Sequence, residues 1–445
     1  MQRKISPVAK KAVAHYIAQS ELLNERCNSA TLQQVRKKAQ TLLTEQGFPI
    51  QRDENWQYTR LTGFVQNHFD IKPALPVTSG QIRQFMPDFP VIMVVFVDGW
   101  FNEGLSDDLE SLPNGVIYES FRDVADIEGQ SSKLYDREQE INEEPFGVLN
   151  SLLMADGFYL QLANNASLEL PFFVLHIQTR GNQMSNVRNR IELGDNAELT
   201  LVERYVSLVE TFEGENVSAC TNVVTEIELA KYARFKQVVM QEQNDNAFYF
   251  NNQFIVQADN SNFNTFYGAL GSQLSRHQNH IFMNGEHIES QQNSACLAKD
   301  NQTVDSRTDT QHNDVWGNSQ QLHKYVLADS AVGVFNGMIR VDQKAQKTDG
   351  QMDNKNLLLS DVAKMDTKPQ LEIYADDVKC SHGSASGQID KNQIFYLQAR
   401  GIRRAEAIKM ITHAFLLEPA ESITNDKVRH WVTDRLSAGL ASIHQ

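Results

Sequence analysis

Residues 157–382 limit the folds open to this chain. Helical periodicity nearly vanishes across that span, and short runs of strand character follow one another at 159–162, 172–177, 189–193, 199–206, 222–229, 235–240, 248–256, 263–268, 281–283, 325–327, 334–341 and 371–374. The corners between them are built from Asn, Asp, Gly and Ser, as in Gly194-Asp195-Asn196, Asn244-Asp245-Asn246 and Asp259-Asn260-Ser261-Asn262. Strands in such number without intervening helices leave a sandwich, a propeller or a β-solenoid. A sandwich of this size would be unusual, and no blade repeat is present. A solenoid tolerates Asn-rich corners because each coil stacks on the next and shares its backbone hydrogen bonds. Composition favours the solenoid only slightly.

The flanks read differently. Residues 7–47 predict two helices, with Val8, Ala12, Ile17 and Leu22 in the first and a stripe of Leu32, Val35, Ala39, Leu42 and Leu43 in the second. Gly47 ends the pair and Pro49 prevents its resumption. Residues 91–121 read as mixed strand and turn, 127–144 as an acidic connector or helix, and 146–155 as a helix. After the β region a helix runs from Asp390 to a stop at Gly401. Ala405, Ile408, Ile411, Phe415 and Leu416 mark the next, and Val428, Val432, Leu436 and Leu440, with Trp431, a last one. The expected organisation is an N-terminal helical and mixed α/β region over 1–156, a β core over 157–390 and a small helical tail over 391–445.

The formal charge of −15, from 56 acidic and 41 basic residues, argues against nucleic acid and anionic membranes as partners. No apolar run approaches a membrane span, and none follows Met1-Gln2-Arg3-Lys4 as in a signal peptide, so the cytoplasm is the expected compartment. The four cysteines, Cys27, Cys220, Cys296 and Cys380, stand far apart with no Cys-x-x-Cys pair, which argues against a self-contained cluster or zinc site. The sequence has no phosphate loop, no Gly-x-Ser-x-Gly elbow and no His-Glu-x-x-His, so no enzymatic activity is expected of it.

The candidate chemistry lies near the end of the β region. Val378, Cys380 and His382 are two residues apart, so an extended segment turns all three to one face, where a thiol and an imidazole can reach one soft metal ion. A small buried thiol and a hydrogen-bonded histidine closing the last coil would give the same pattern, and the residues alone leave the two readings even. The run Gly383-Ser384-Ala385-Ser386-Gly387 is small enough for close approach of another backbone or subunit. His277, His280, His287, His312 and His323 are expected at polar corners or hydrogen-bonded surfaces rather than on a metal.

The stretch Asp376-Asp377-Val378-Lys379-Cys380-Ser381-His382-Gly383, the small-residue run, and Phe395-Tyr396-Leu397 through Arg400-Gly401 resemble the SufB/SufD family of iron–sulfur cluster assembly proteins, its SufD branch most closely. Gly47-Phe48-Pro49 followed by Glu54, Trp56, Tyr58 and Thr59 resembles the N-terminal region of the same branch. Trp56 and Tyr58 are expected simply to pack on the helix pair. Where the family typically reads Gly-Ala-Thr-Val-Gly after the histidine, this chain has Gly383-Ser384-Ala385-Ser386-Gly387, which keeps the residues small. Asn354 and Ala363 fall where SufB carries cysteines, so persulfide chemistry is not expected on this chain.

The resemblance implies a mainly β fold, a right-handed parallel β-helix core flanked by helical ends. It implies a non-catalytic subunit of a SufB–SufC–SufD scaffold, paired with SufB and docking the SufC ATPase through its C-terminal helices. The isolated chain could also pair with itself. His382, and with less weight Cys380, are the metal-site candidates at the SufB interface. There iron or a nascent cluster would be held transiently, with no cofactor bound stably by the chain alone. The rival reading is a secreted or surface β-solenoid acting on carbohydrate or in adhesion.

Overall fold

The structure, a computed structural model, describes residues 5–25, 29–121, 124, 137–208 and 218–443. Its body is a parallel β-solenoid. From Phe158–Leu162 to Lys379–Gly387 successive strands alternate between two sheets, so each strand pairs with the one two positions along the chain. One sheet has ten strands and the other nine. The ladder begins earlier than the sequence suggests, because Ile92–Val97 pairs in parallel with Phe172–Gln178 from Ile92↔Phe172 to Val97↔Ile177.

Each coil turns one corner through a single residue with positive φ: Asn196, Tyr232, Asn260, His287, Trp316 and Lys347 in succession. Each of these donates its N–H to a carbonyl of the following coil, as Asn260 does to Glu286 (2.9 Å) and Trp316 to Gln346 (3.0 Å). Asparagine tolerates this left-handed geometry well, which explains the corner composition.

The interior changes character along the axis. In the N-terminal half, Leu160, Val174, Ile191, Leu201, Ile227, Phe235, Ile255 and Phe263 stack into an apolar core. Further on, the inward positions carry Gln292, Ser294, Thr308, Thr310, Gln321, His323, Asn354 and Asn356, all buried. They satisfy one another across the lumen: Gln292 donates to Thr310 (2.9 Å), Thr308 to Gln321 (2.7 Å), and His323 Nδ1 lies 2.8 Å from Ser294 Oγ. This polar stretch explains why the strands Glu289–Ala298, Thr303–His312 and Asp349–Leu358 escape a reading based on apolar alternation.

His277, His312 and His323 are not at corners or on the surface, as expected from sequence, but buried in the lumen. His277 stacks on Tyr267 with ring centroids 4.2 Å apart. His280 lies on the outer face of the nine-stranded sheet, stacked on Phe254, and His287 at a corner against Trp316. Burial pushes His277 and His323 down to about 3 and His312 down to about 4, and it pushes His176 down to about 3. The unfolded chain therefore binds more protons than the folded one between roughly pH 6.5 and 3, and stability falls as pH is lowered through that window. Glu203, pushed up to about 7 by burial, acts in the opposite sense between its unfolded value and pH 7 but offsets only one such group. Urea midpoints measured from pH 7 to pH 4 should decline, and His323→Gln should flatten that decline while lowering the midpoint at pH 7. A midpoint that does not change with pH would refute the assignment.

Helices clothe the sheets. Pro7–Asn24, Ala30–Gln46 and Pro145–Leu153 bury Ala12, Tyr16, Leu43, Phe146 and Leu149 with Phe248, Phe250 and Leu274 of the nine-stranded sheet. Residues 127–136 of the predicted acidic connector and Cys27 lie outside the described residues, whereas Glu138–Glu143 is helical. Trp56 packs on this sheet as well as on the helical layer, its ring 3.6 Å from the Arg276 guanidinium and 5.5 Å from the Phe146 ring. Thr59 donates to Asp305 (2.5 Å), and Tyr58 is exposed. On the other side, Arg404–Leu417 and Asp426–Ile443 lie against the ten-stranded sheet. Leu416, Val428, Val432, Leu436 and Leu440 share one core there with Val202, Val238, Phe266, Leu297 and Val326. These helices are part of the body rather than a free tail.

Candidate functional site

Both sheets end at the same end of the solenoid. Lys364–Ile373 pairs only with Val332–Val341, and Lys379–Gly387 only with Asp349–Leu358, so each last strand has one edge without a ladder among the described residues. Pro369, which has no N–H to donate, is tolerated on such an edge strand.

The register fixes where the candidate side chains fall. Gly350, Met352, Asn354 and Asn356 occupy the inward positions of their strand, and opposite them stand Cys380, His382, Ser384 and Ser386. Cys380 and His382 therefore share the inward face, as their spacing predicts. Cys380 is half-buried against the lumen core, opposite Gly350 of the preceding coil. Burial pushes the Cys380 thiol up, which keeps it protonated near neutral pH in the free chain. His382 ends the inward column Gln292–Gln321–Met352–His382. Its imidazole is exposed because no further coil covers it.

A polar network that the sequence reading missed supports this end. Asn354 and Asn356 exchange side-chain hydrogen bonds of 3.0 and 2.7 Å, and Asn354 also donates to the His323 carbonyl (3.3 Å). Asn356 donates to Ser386 Oγ (3.0 Å), and Ser384 donates to Asn354 Oδ1 (3.2 Å). The available signal was Asn-x-Asn followed, one coil on, by Ser-x-Ser at the same register. Asn354 is thus a fully buried strut beneath the end strand, and Ala363 is buried. A Cβ at Gly383 would sit 2.6 Å from an Asp353 carboxylate oxygen, the end of an exposed side chain that can turn aside. Among the described residues no group of three or more His, Cys, Asp or Glu side chains is arranged to hold a metal ion. His382 and Cys380 stand without a third such side chain grouped with them among the described residues.

The segment after the end strand presents a second surface. Asp390 caps the helix Lys391–Ala399 through Asn392 N–H (2.8 Å), and Gly401, at φ +89°, follows its end. Phe395 is 71% exposed and Tyr396 57%, with the Arg400 guanidinium over the Tyr396 ring at 4.6 Å.

The model of the SufBD protein N-terminal region matches residues 7–174, and that of the SufBD core domain of the SUF system for FeS cluster assembly matches residues 176–415. The chain belongs to the SufB/SufD family. Within this family it is 33% identical over 413 residues to the iron–sulfur cluster assembly protein SufD of Escherichia coli (strain K12), covering 92% of each chain. It is 29% identical to an iron–sulfur cluster assembly SufBD family protein of Synechocystis, over 87% of this chain and 86% of that one. It is 26% identical to the chloroplastic protein ABCI7 of Arabidopsis thaliana, over 90% and 85%. These matches give the chain a role in iron–sulfur cluster assembly and bear out the SufD resemblance read from residues 353–401. Among the described residues no helix is long and apolar enough to cross a membrane.

Proposed function

We propose that this chain is a non-catalytic scaffold subunit of cytoplasmic iron–sulfur cluster assembly. It pairs end to end with SufB through the open end of the solenoid and receives the SufC ATPase on its C-terminal helical region, residues 391–445. The observation that carries the reading is the coincidence, at one end, of two unpaired strand edges with an exposed histidine that closes an inward column. Free edges accept strands from another chain. A partner solenoid docked there would continue the inward columns and bring its own ligands over His382. Iron or the growing cluster is then cargo held between the subunits, with His382 as a ligand and Cys380 as its neighbour. The isolated chain can use the same edges for a two-fold pairing with itself.

Expression with SufB and SufC tests the pairing. Ser381→Lys with Ala385→Lys places two charges on the exposed end strand. The tagged double variant should lose SufB while keeping its melting temperature. Undiminished recovery of SufB would sink end-to-end pairing.

The ATPase contact has a separate test. Phe395→Ala with Tyr396→Ala removes exposed rings that support little of the fold, so melting should hardly change. SufC affinity should fall by about tenfold or more, as expected when aromatic anchors leave an interface. Unchanged SufC binding by calorimetry would move the ATPase elsewhere.

A further inference from the structure

The N-terminal region carries a groove that none of this explains. It has a volume of 500 Å³ and lies between the start of the first helix, the turn after Gly47, and residues 60–66. Its floor is apolar, with Ala9, Phe48 and Leu61 buried, while Val8 and Ile50 on the rim are each 48% exposed. Its charge runs against the rest of the chain. In a protein of net charge −15, the lining holds Arg52 and Arg60 and no acidic side chain. Of the nearby acids, Glu54 pairs with Lys368 (2.5 Å), and Asp53 accepts from the Ile50 amide (2.8 Å), which leaves its charge in place. Neither guanidinium has a hydrogen-bond or ion-pair partner among the described residues. Ser6, which also lines the groove, caps the helix Pro7–Asn24, so the positive end of an 18-residue helix adds to the field.

We propose that this groove docks a segment of a partner protein in which a large apolar side chain is followed, within a helical turn, by carboxylates. The apolar side chain would enter over Phe48 and Leu61, and the carboxylates would meet Arg52, Arg60 and the helix start at the rim. Apolar floor and charged rim are the two halves of helix-in-groove recognition, and charge at the rim selects the partner's sign. The site lies in the N-terminal region, which the Glu54–Lys368 pair ties to the last strand of the nine-stranded sheet.

Selection of a random linear peptide library on the full-length protein tests this without presuming a partner. Enriched peptides should combine an aromatic or branched apolar residue with carboxylates in the next turn. Arg52→Glu with Arg60→Glu should weaken those peptides by about tenfold, and Ile50→Asp should weaken them independently. All three sites are exposed, so melting temperature should be unchanged and serves as the folding control. Absence of enrichment, enriched peptides without carboxylates, or equal binding by both variants would overturn the proposal.

Discussion

His382→Ala is expected to leave the SufB–SufC complex with this chain intact while cutting the iron it assembles by about tenfold or more, the order of loss seen when groups that tune a metal site are removed. The imidazole is exposed at the end of its column and makes no hydrogen bond to another described residue, so its removal creates no cavity and orphans no polar atom. Nothing in the fold of the free chain depends on it. Cys380→Ser should cost less iron, since that thiol also packs on the lumen core and over Gly350, and its raised pKa favours the neutral form. A packing histidine would give the reverse pattern, with melting temperature and complex yield falling and iron dropping only in proportion. Complex yield, melting temperature and iron per complex after anaerobic reconstitution separate the two. Normal iron in an intact His382→Ala complex would leave the histidine without a part in assembly.

Deleting residues 426–445 should unfold the body rather than trim it. The last helix buries Val428, Trp431, Val432, Leu436 and Leu440 to 4% exposure or less, and Trp431 meets Phe173 edge to face at 5.8 Å. At about 2 kcal/mol for each buried apolar side chain, roughly 10 kcal/mol is withdrawn, against a total stability of order 5–15 kcal/mol for an ordinary domain. The sheet face left behind, with Val238, Phe266, Leu297 and Val326, would lie open to water. The truncated chain should be insoluble or melt far below the intact one. A soluble truncated chain with an unchanged melting temperature would mean that the helix contributes little.

These two expectations show what the sequence could and could not convey. Strand alternation made the β body visible where inward positions are Leu, Ile, Val and Phe, and it failed over Glu289–Ala298, Thr303–His312 and Asp349–Leu358, where many of them are Gln, Ser, Thr, His and Asn. A polar lumen satisfied by its own cross-bonds leaves no hydrophobic period to read. Cys380 and His382 were placed on one face by spacing alone, because a strand's two-residue period leaves little freedom. The struts beneath them, Asn354 and Asn356, were not found, since their partnership with Ser384 and Ser386 depends on register between coils far apart in sequence. The last helix read as a tail because its stripe of Val428, Val432, Leu436 and Leu440 shows that something covers it, without showing what. The exposure of Phe395 and Tyr396 was equally hidden, since apolar residues on a short helix ordinarily face inward.

The open end of the solenoid also governs how firmly the candidate site is held. In a linear stack each unit draws its stability from its neighbours on both sides, and the coil bearing Cys380 and His382 has a neighbour on one side only. Beyond its one backbone ladder and the packing of Cys380, its contacts at the end strand are hydrogen bonds among Asn and Ser side chains. It is therefore the first part of the ladder to fray, and amide exchange should be fastest there among the strands. A subunit bound at that end acts as the missing cap. By linkage, whatever free energy it supplies to arrest the fraying is subtracted from the affinity with which it binds, so ligand geometry and subunit affinity cannot be tuned apart.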